Sequence, residues 1–444
     1  MTHGPLPHLD TVTGTIRVSL WPAILTTFIV GLGFAALKFV LIGHIGLDYD
    51  ADKPGALDPL PWDWLKQVTL EADHRGGLRE AITQAISAIL TLGLIVAFPL
   101  NGPLAGAWRC NRLFAVSCAV VAGACMMTLF SNPWLWAVVI GIAYGAACAA
   151  RGKVIPLLSH ATGQSNTKIS GGINAALALG LLVGTLLGSW LSENPAMSPL
   201  DRHLILLGLS VTGMFTAMLI RVPEPPTVPM AAGVRDFFRA TTVLFRHHWA
   251  LLLGGGLAWG IVTALSLALY VHATETLDMS RLAASSLGLF GALGAIVGNL
   301  ISHWGVRRRW VILAFLIQAA AMWAYPSIVV GYWSAATLIV IISTLFAAAA
   351  NVLDARFLAN AHDDGMSGLG STVMSFMHSL CILVISLSLA IPLFLGKMPA
   401  IAQFPVLAVI GILSCGAAAF ANLSLNSSAS RDSQRLALGT NNIK

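Results

Sequence analysis

The sequence predicts an all-α membrane protein made of two six-helix bundles. Twelve long apolar runs fill the chain, and a basic, proline-containing stretch from Arg221 to Trp249 divides them six and six. Apolar residues make up 57% of the chain and charged residues 10%, whereas an ordinary soluble domain has about 25% charged residues. Each run has the roughly 20 residues that an α-helix needs to cross a bilayer. The runs lack the alternation of a membrane barrel, so the spans are predicted to be helices.

The span ends are set to within about 3 residues by the pattern. The predicted spans cover residues 18–43, 82–106, 113–131, 133–151, 170–191, 203–220, 249–271, 283–303, 310–330, 333–353, 368–395 and 402–424. The first span follows polar residues without a small-residue cleavage site, so it is predicted to be retained and not removed as a signal peptide.

The same pattern predicts how the chain is divided. The two bundles cover 18–220 and 249–424, and the polar tail from 425 to 444 is predicted to be disordered because it is too polar to pack. The remaining segments are a cytoplasmic N-terminus at 1–17, a periplasmic loop at 44–81 and a cytoplasmic linker at 221–248.

Charge distribution predicts the orientation in the membrane. Most of the 25 Lys and Arg residues lie on the side of the N-terminus, and such residues concentrate in cytoplasmic loops. Both termini and the linker are therefore predicted to face the cytoplasm, with the protein in a bacterial inner membrane. The net charge of +6 is explained by this orientation, so it is no argument for nucleic-acid binding.

No enzyme or cofactor motif is found in the sequence. The six cysteines include no CxxC pair, so structural disulfides and a zinc site are not expected. The sequence also lacks GxxxxGK[ST], GxSxG and HExxH. We therefore predict a protein that is not an enzyme and that has no cofactor and no metal.

Three stretches in the first half resemble a known family. They are FIVGLGFAALKF (Phe28 to Phe39), GIAYGAACAARGKVIPLL (Gly141 to Leu158) and INAALALGLLVGTLLG (Ile173 to Gly188). In spacing and order they are similar to spans 1, 4 and 5 of the lysophospholipid-transporter branch of the major facilitator superfamily. The second half agrees through RFLANAHDDGMSGLGSTVMSF (Arg356 to Phe376).

The resemblance implies a major facilitator fold and secondary transport by alternating access. It also implies that the cargo is a lysophospholipid or a similar amphipathic lipid. Some members of that branch are fused to acyltransferase domains, so an acyltransferase partner of this chain would be a separate protein.

Four residues are predicted to bind the substrate: Lys38, Asn174, Trp259 and His378. An ammonium group buried in the bilayer costs roughly 3 kcal/mol on insertion scales, so Lys38 should face either a wet cavity, where it could hold an anionic headgroup, or the outer interface. Asn174 and His378 are single polar residues in apolar spans, which bind a ligand or make a hydrogen bond between helices. Trp259 could line a cavity wall or simply pack.

Four charged residues are predicted to form a cytoplasmic gate: Arg151, Lys153, Asp354 and Arg356. The first two end span 4 and the other two follow span 10. They could receive an anionic substrate or form ion pairs between the halves. Alternatively, they fix the topology or are charged helix ends at the interface.

The scarcity of buried acids argues against proton coupling. The chain has no Asp or Glu between residues 81 and 192, whereas proton-coupled transporters need a buried carboxylate that titrates. His378 is expected to be a lone imidazole. A facilitator of lipid-like molecules is therefore favoured. The alternatives are an exporter of small amphipathic solutes and a membrane scaffold of the same fold that does not transport.

Overall fold

The structure is a computed structural model that describes residues 19–43, 67, 77–130, 132–163, 166–223, 230–303, 308–364 and 366–439. These residues form twelve α-helices and no strand, so the predicted all-α fold is confirmed. The helices are α1 (Trp21–Leu41), α2 (Leu78–Ala107), α3 (Cys110–Phe130), α4 (Pro133–Thr162), α5 (Asn166–Glu193), α6 (Pro199–Met218), α7 (Met230–Glu275), α8 (Arg281–His303), α9 (Arg308–Ile328), α10 (Tyr332–Asp363), α11 (Ser367–Phe394) and α12 (Gln403–Gly439).

Eleven of these helices are long and apolar enough to cross a membrane by length and composition. The exception is α6, whose first turn carries Asp201 and Arg202, so its apolar run is shorter. A capping box starts α6: the Ser198 hydroxyl accepts from the Asp201 backbone N–H, and the Asp201 carboxylate accepts from the Ser198 backbone N–H. With α6 included, each predicted half has its six helices in the described chain.

The two halves repeat the same helix pairs. In the first half α1 packs along α5 and α2 along α4, and in the second half α7 packs along α11 and α8 along α10. Glycines bring these backbones close together. A Cβ atom at Gly184 of α5 would lie 2.2 Å from the Leu32 carbonyl oxygen of α1, and one at Gly298 of α8 would lie 2.3 Å from the Thr344 carbonyl oxygen of α10.

The hydrophobic core is shared at one face of the molecule and divided at the other. We call the face where α1 begins the N face and the opposite face the far face. Toward the far face a single core includes Leu41 of the first half and Tyr270 of the second. Toward the N face Phe114 and Phe357 belong to two different cores; the core of Phe357 is formed mainly by the second half and also includes Phe98 of α2. The halves are thus joined most closely at the far face.

The region predicted as a linker, 221–248, is helical over its second part. The prolines end at Pro229, and α7 begins at Met230. Phe237, Ala240 and Leu244 are buried at helical spacing, so this part of α7 is an amphipathic helix docked on the second half. Its helical geometry is interrupted at His248, where φ is −127° and ψ is 25°.

Two membrane helices continue well past their predicted ends. The span predicted at 133–151 is the start of α4, which runs to Thr162, and the span predicted at 333–353 is part of α10, which runs to Asp363. Hydropathy marks the apolar length of a helix, whereas the helix itself ends where its backbone hydrogen bonds stop. The four residues of the predicted gate consequently lie inside helices and not at their ends.

The predicted termini and the long loop are described in part. Residues 1–17, most of the loop at 44–81 and residues 440–444 lie outside the described residues. Residues 425–439, which belong to the predicted tail, continue α12 as a helix as far as Gly439. Extending an existing helix needs no new nucleus, which explains why this polar segment is helical.

Candidate functional site

A cavity of about 490 Å³ lies between the two halves. Its walls come from α1 and α5 of the first half and from α7, α8 and α10 of the second. The walls are mainly apolar and include the aromatic side chains of Phe34, Phe39, Trp259 and Phe346. Of the described residues that line it, only Lys38 is charged. The volume lies within the range of about 300–1,000 Å³ that is typical of small-molecule sites.

Lys38 supplies the charged side chain in the part of the cavity wall that comes from the first half. It lies in the last turn of α1, and its Nζ donates to the Ser87 hydroxyl of α2 at 3.5 Å. Ser87 is 2% exposed. Because this is a long hydrogen bond to a neutral group, the ammonium keeps capacity to bind an anion in the cavity.

Contacts between the halves close the far face. The Glu193 carboxylate at the end of α5 accepts from the backbone N–H of Arg281 at 3.2 Å and of Leu282 at 3.0 Å, at the first turn of α8. The Arg281 guanidinium donates to the Ser192 carbonyl at 3.1 Å. A carboxylate at a helix N-terminus is favourable because the first N–H groups have no partner within the helix. The start of α8 is therefore capped by the other half.

A second set of far-face contacts joins α2 to the second half. Arg79 and Glu275 form an ion pair. One turn deeper, the Gln84 amide donates to the Ala264 carbonyl at 3.0 Å and to the Gln403 side-chain oxygen at 3.2 Å. Gln84 and Gln403 are 1% and 2% exposed, so these hydrogen bonds are screened little by water.

A polar cluster lies beside the cavity in the second half. The Trp259 indole of α7 donates to Asp354 Oδ2 of α10 at 3.3 Å. His378 Nε2 of α11 lies 3.3 Å from Asp354 Oδ1, without the alignment of a hydrogen bond. The side chains of Asp354 and His378 are only 16% and 12% exposed. Trp259 also lines the cavity, so it connects this pair to the cavity.

Gly255 makes room for this cluster. A Cβ atom there would lie 2.8 Å from Asp354 Oδ1 and 3.3 Å from His378 Nε2. The absence of a side chain on α7 therefore allows helices α10 and α11 to bring their polar groups together.

The structure groups the predicted substrate and gate residues differently from the sequence prediction: a predicted gate residue, Asp354, lies beside two predicted substrate residues. Lys38 and Trp259 both line the cavity. His378 is not a lone imidazole, because it meets Asp354, which the sequence assigned to the gate. The side chain of Asn174 on α5 lies outside the described residues.

The other gate residues are not brought together by the contacts described. Lys153 Nζ donates to the Trp108 carbonyl between α2 and α3 at 2.8 Å, so it holds that connection. Arg151 lies on α4, one turn from Cys148, whose side chain is hydrogen bonded to Tyr144. Arg356 is partly buried on α10, two residues beyond Asp354.

Sequence reasoning missed Glu193, Gln84, Gln403 and the meeting of Asp354 with His378. The contacts of Glu193 and Gln84 join distant segments, and no local spacing indicates them. A detectable signal existed for the cluster: Asp354 falls one residue after the predicted span, close enough to count as buried once α10 is extended.

The fold is that of a class of protein, the membrane transporters built from two repeated helical halves with a cavity between them. The chain belongs to the major facilitator superfamily, because the model of the Major Facilitator Superfamily matches residues 23–386. Membership in this superfamily and the transporter fold indicate a transporter and not an enzyme.

Two solved transporters share the fold. The xylose transporter XylE from E. coli, in a partially occluded inward open conformation, matches with a TM-score of 0.62 and 12% identity, over 89% of this chain and 96% of that chain. The nucleoside transporter NupG matches with a TM-score of 0.58 and 14% identity, over 90% and 98% of the two chains. At these identities the likeness shows the fold alone. No curated protein sequence matches this chain.

Proposed function

We propose that this transporter moves an amphipathic molecule with an acidic head and a long apolar tail, and that lysophospholipids are the leading substrate class. The single observation that carries the proposal is a mostly apolar cavity with one charged lining residue, Lys38, among the described residues. The cavity walls suit a hydrocarbon tail, and the ammonium suits a phosphate.

A cation in the membrane interior costs roughly 3 kcal/mol on insertion scales, and a neutral serine hydroxyl at 3.5 Å offsets little of this. A bound phosphate would offset more, since charge-assisted hydrogen bonds contribute about 1.5–3 kcal/mol. Sugar-like cargo would instead need many hydrogen-bonding groups, which this lining offers sparsely.

The test is uptake of labelled lysophosphatidylethanolamine into spheroplasts with and without the protein. We expect protein-dependent uptake that falls about tenfold or more in Lys38→Ala, since the lost interaction is worth at least about 1.5 kcal/mol. Lys38→Arg should retain part of the activity. Lys397→Ala is the matched control, because Lys397 is exposed and lies outside the cavity.

The headgroup is tested with monoacylglycerol, which has the tail and lacks the phosphate. Uptake of both molecules at equal rates would contradict the role of the acidic head. No uptake of the lysophospholipid by correctly folded protein would contradict this substrate class. Expression and thermal unfolding of each variant in detergent separate loss of function from loss of folding.

A second candidate is an exporter of small amphipathic solutes that is driven by protons. The observation that favours it is the Asp354 and His378 pair beside Trp259. A carboxylate next to an imidazole can take up and release a proton as its surroundings change. The next charged residue along α10 is Arg356, and the groups that α7 presents to the pair, Gly255 and the Trp259 indole, carry no charge.

Asp354→Asn distinguishes the two candidates. In a proton-driven exporter this variant should lose accumulation against a gradient while retaining exchange of substrate between the two sides. In a facilitator it should change transport equally at acidic and alkaline pH. A His378→Gln variant with an unchanged pH profile would argue against proton coupling through this pair.

We also propose that the N face is cytoplasmic and that the membrane is a bacterial inner membrane, as the Lys and Arg distribution predicts. A Cys introduced at exposed Arg235, in the first part of α7, should be protected from an impermeant thiol reagent in intact cells. A Cys at Lys397 should react. The reverse result would invert the topology.

A further inference from the structure

A side-chain cluster at the N face, outside the cavity, has no role in the proposed transport. It is formed by His247 and His248, where α7 departs from helical geometry, and by Asp364, just after α10. The ligand atoms of these three residues all lie within 4.8 Å of one another. Two imidazoles and one carboxylate form a nitrogen and oxygen donor set that suits zinc and similar divalent ions.

The distances are compatible with a shared ion. Asp364 Oδ2 lies 2.9 Å from His248 Nε2 and 3.6 Å from His247 Nδ1. Zinc ligands lie about 2.0–2.2 Å from the metal, so the ligand atoms of a tetrahedral site are separated by roughly 3.3 Å. The two observed distances lie on either side of that value.

The kink of α7 is what brings the two imidazoles to one point. Successive residues of an α-helix point in different directions around the axis, so a regular helix would separate these side chains. His248, with φ of −127° and ψ of 25°, breaks that pattern. The result is that both rings approach the same carboxylate oxygen.

The surroundings also favour a metal ligand. Asn360 Nδ2 lies 3.4 Å from His248 Nδ1, and with the amide turned over, its oxygen would accept from Nδ1–H and leave Nε2 as a donor to the metal. The carboxylate of Asp364 lies beside both imidazoles, so it can supply the oxygen ligand of the set.

We propose that His247, His248 and Asp364 bind one divalent transition-metal ion of the zinc type, with water completing its coordination. The ion would tie the kink of α7 to the turn between α10 and α11. Metal binding would hold the kink in its present form and so restrict movement of the N face of the second half. Micromolar zinc is then expected to slow transport from outside the substrate cavity.

The spacing rules applied to the sequence could not identify this site. Asp364 lies 116 residues from His248, and the expectation of no metal rested on the cysteines. The adjacent histidines were visible, but a pair of neighbours on a regular helix would not converge on one ion.

The binding test uses full-length protein in detergent. The protein is purified through a tag that contains no histidine, and the tag is removed before the titration. Titration with Co²⁺ should produce the visible absorption bands of a tetrahedral or five-coordinate site with one ion per protein, and Zn²⁺ should displace it. His247→Ala and Asp364→Asn should each weaken zinc binding by about tenfold or more, and Asn360→Ala by roughly tenfold, since loss of an outer hydrogen-bond partner costs about 10–100-fold. Arg246→Ala, an exposed neighbour in α7, is the matched control and should bind zinc normally.

A stability measurement tests the metal site independently of the substrate assignment. Zinc should raise the thermal unfolding temperature of the unmodified protein and of Arg246→Ala, because a ligand that binds only the folded state stabilises it, and this shift should vanish in the double variant His247→Ala with Asp364→Asn. Equal zinc binding by the double variant and the unmodified protein, or binding only through several weak equivalent sites, would overturn the site. Loss of lysophospholipid uptake in Lys38→Ala with zinc binding intact would affect only the proposed function.

Discussion

At the scale of single residues, the buried carboxylate of Asp354 lies next to polar partners from other helices. Asp354 receives the Trp259 indole N–H and lies beside His378. Removing one partner of such a buried group costs more than the net worth of the interaction, because the remaining charge stays out of water. The cluster should therefore be sensitive to small changes around it.

Gly255→Ala is the sharpest test of that sensitivity. The added Cβ would lie 2.8 Å from Asp354 Oδ1, so the carboxylate must move and its hydrogen bond from Trp259 must lengthen. The neighbours are ends of side chains and can move, so the stability cost should stay near the low end of the about 1–3 kcal/mol typical of overpacking. We expect transport to fall about tenfold, since a hydrogen bond to a charged group contributes about 1.5–3 kcal/mol.

Transport by Gly255→Ala is measured in the same spheroplast assay, with thermal unfolding as the check on folding. Gly416→Ala in α12 is the matched control, because a Cβ atom there meets nothing within 4 Å. Full transport by Gly255→Ala would mean that the arrangement of Asp354 and His378 does not matter for function.

At the scale of helices, the sequence predicts which segments cross the membrane and misses how far they extend. Hydropathy found the twelve helices of the described part of the chain because apolar length is a local property. It ended the helices of Arg151 and Asp354 too early, since charged residues end an apolar run without ending a helix. Lys38 was predicted as a substrate-binding residue because the free-energy cost of burying an ammonium group follows from its own position in the apolar run. The partner of Asp354 comes from another helix, so no local pattern indicates it.

The close packing of α5 on α1 yields a prediction for Gly184→Ala. Its Cβ would lie 2.2 Å from the Leu32 carbonyl oxygen, and a backbone atom inside a helix cannot move away alone. We expect a loss of stability of about 1–3 kcal/mol, measured by thermal unfolding in detergent.

Gly208→Ala in α6 is the control for Gly184→Ala. A Cβ atom there meets nothing within 4 Å, so this change should be neutral or slightly stabilising, because alanine favours helices over glycine by about 1 kcal/mol. If both variants unfold at the same temperature, the close contact between α1 and α5 contributes no measurable stability.

At the scale of the whole molecule, the two halves share one core at the far face and have two separate cores toward the N face. The single core at the far face is reinforced by Glu193 capping α8 and by the Arg79 and Glu275 pair. Toward the N face the ring contact of Phe98 with Phe376 joins the halves, at a centroid distance of 6.3 Å. Alternating access requires the far-face contacts to break. Their strength therefore sets the balance between the conformation with the far face closed and the one with the far face open.

Glu193→Gln should therefore shift that balance toward opening of the far face. The amide keeps the shape of the carboxylate but loses the charge that the first turn of α8 attracts, at a cost of about 1 kcal/mol. A change of that size alters a two-state ratio by about fivefold. Spin labels on Cys residues introduced at exposed Ala196 and Thr276, one in each half, should report a new population at longer distance.

Asp201→Asn separates this effect from the simple loss of a helix cap. Asp201 caps α6 within the first half through Ser198 and makes no described contact with the second half. Its loss should lower stability by a similar amount and leave the distance between the two labels unchanged. If both variants lengthened that distance equally, far-face closure would depend on the stability of the bundle as a whole, and the contact of Glu193 with α8 would not control access.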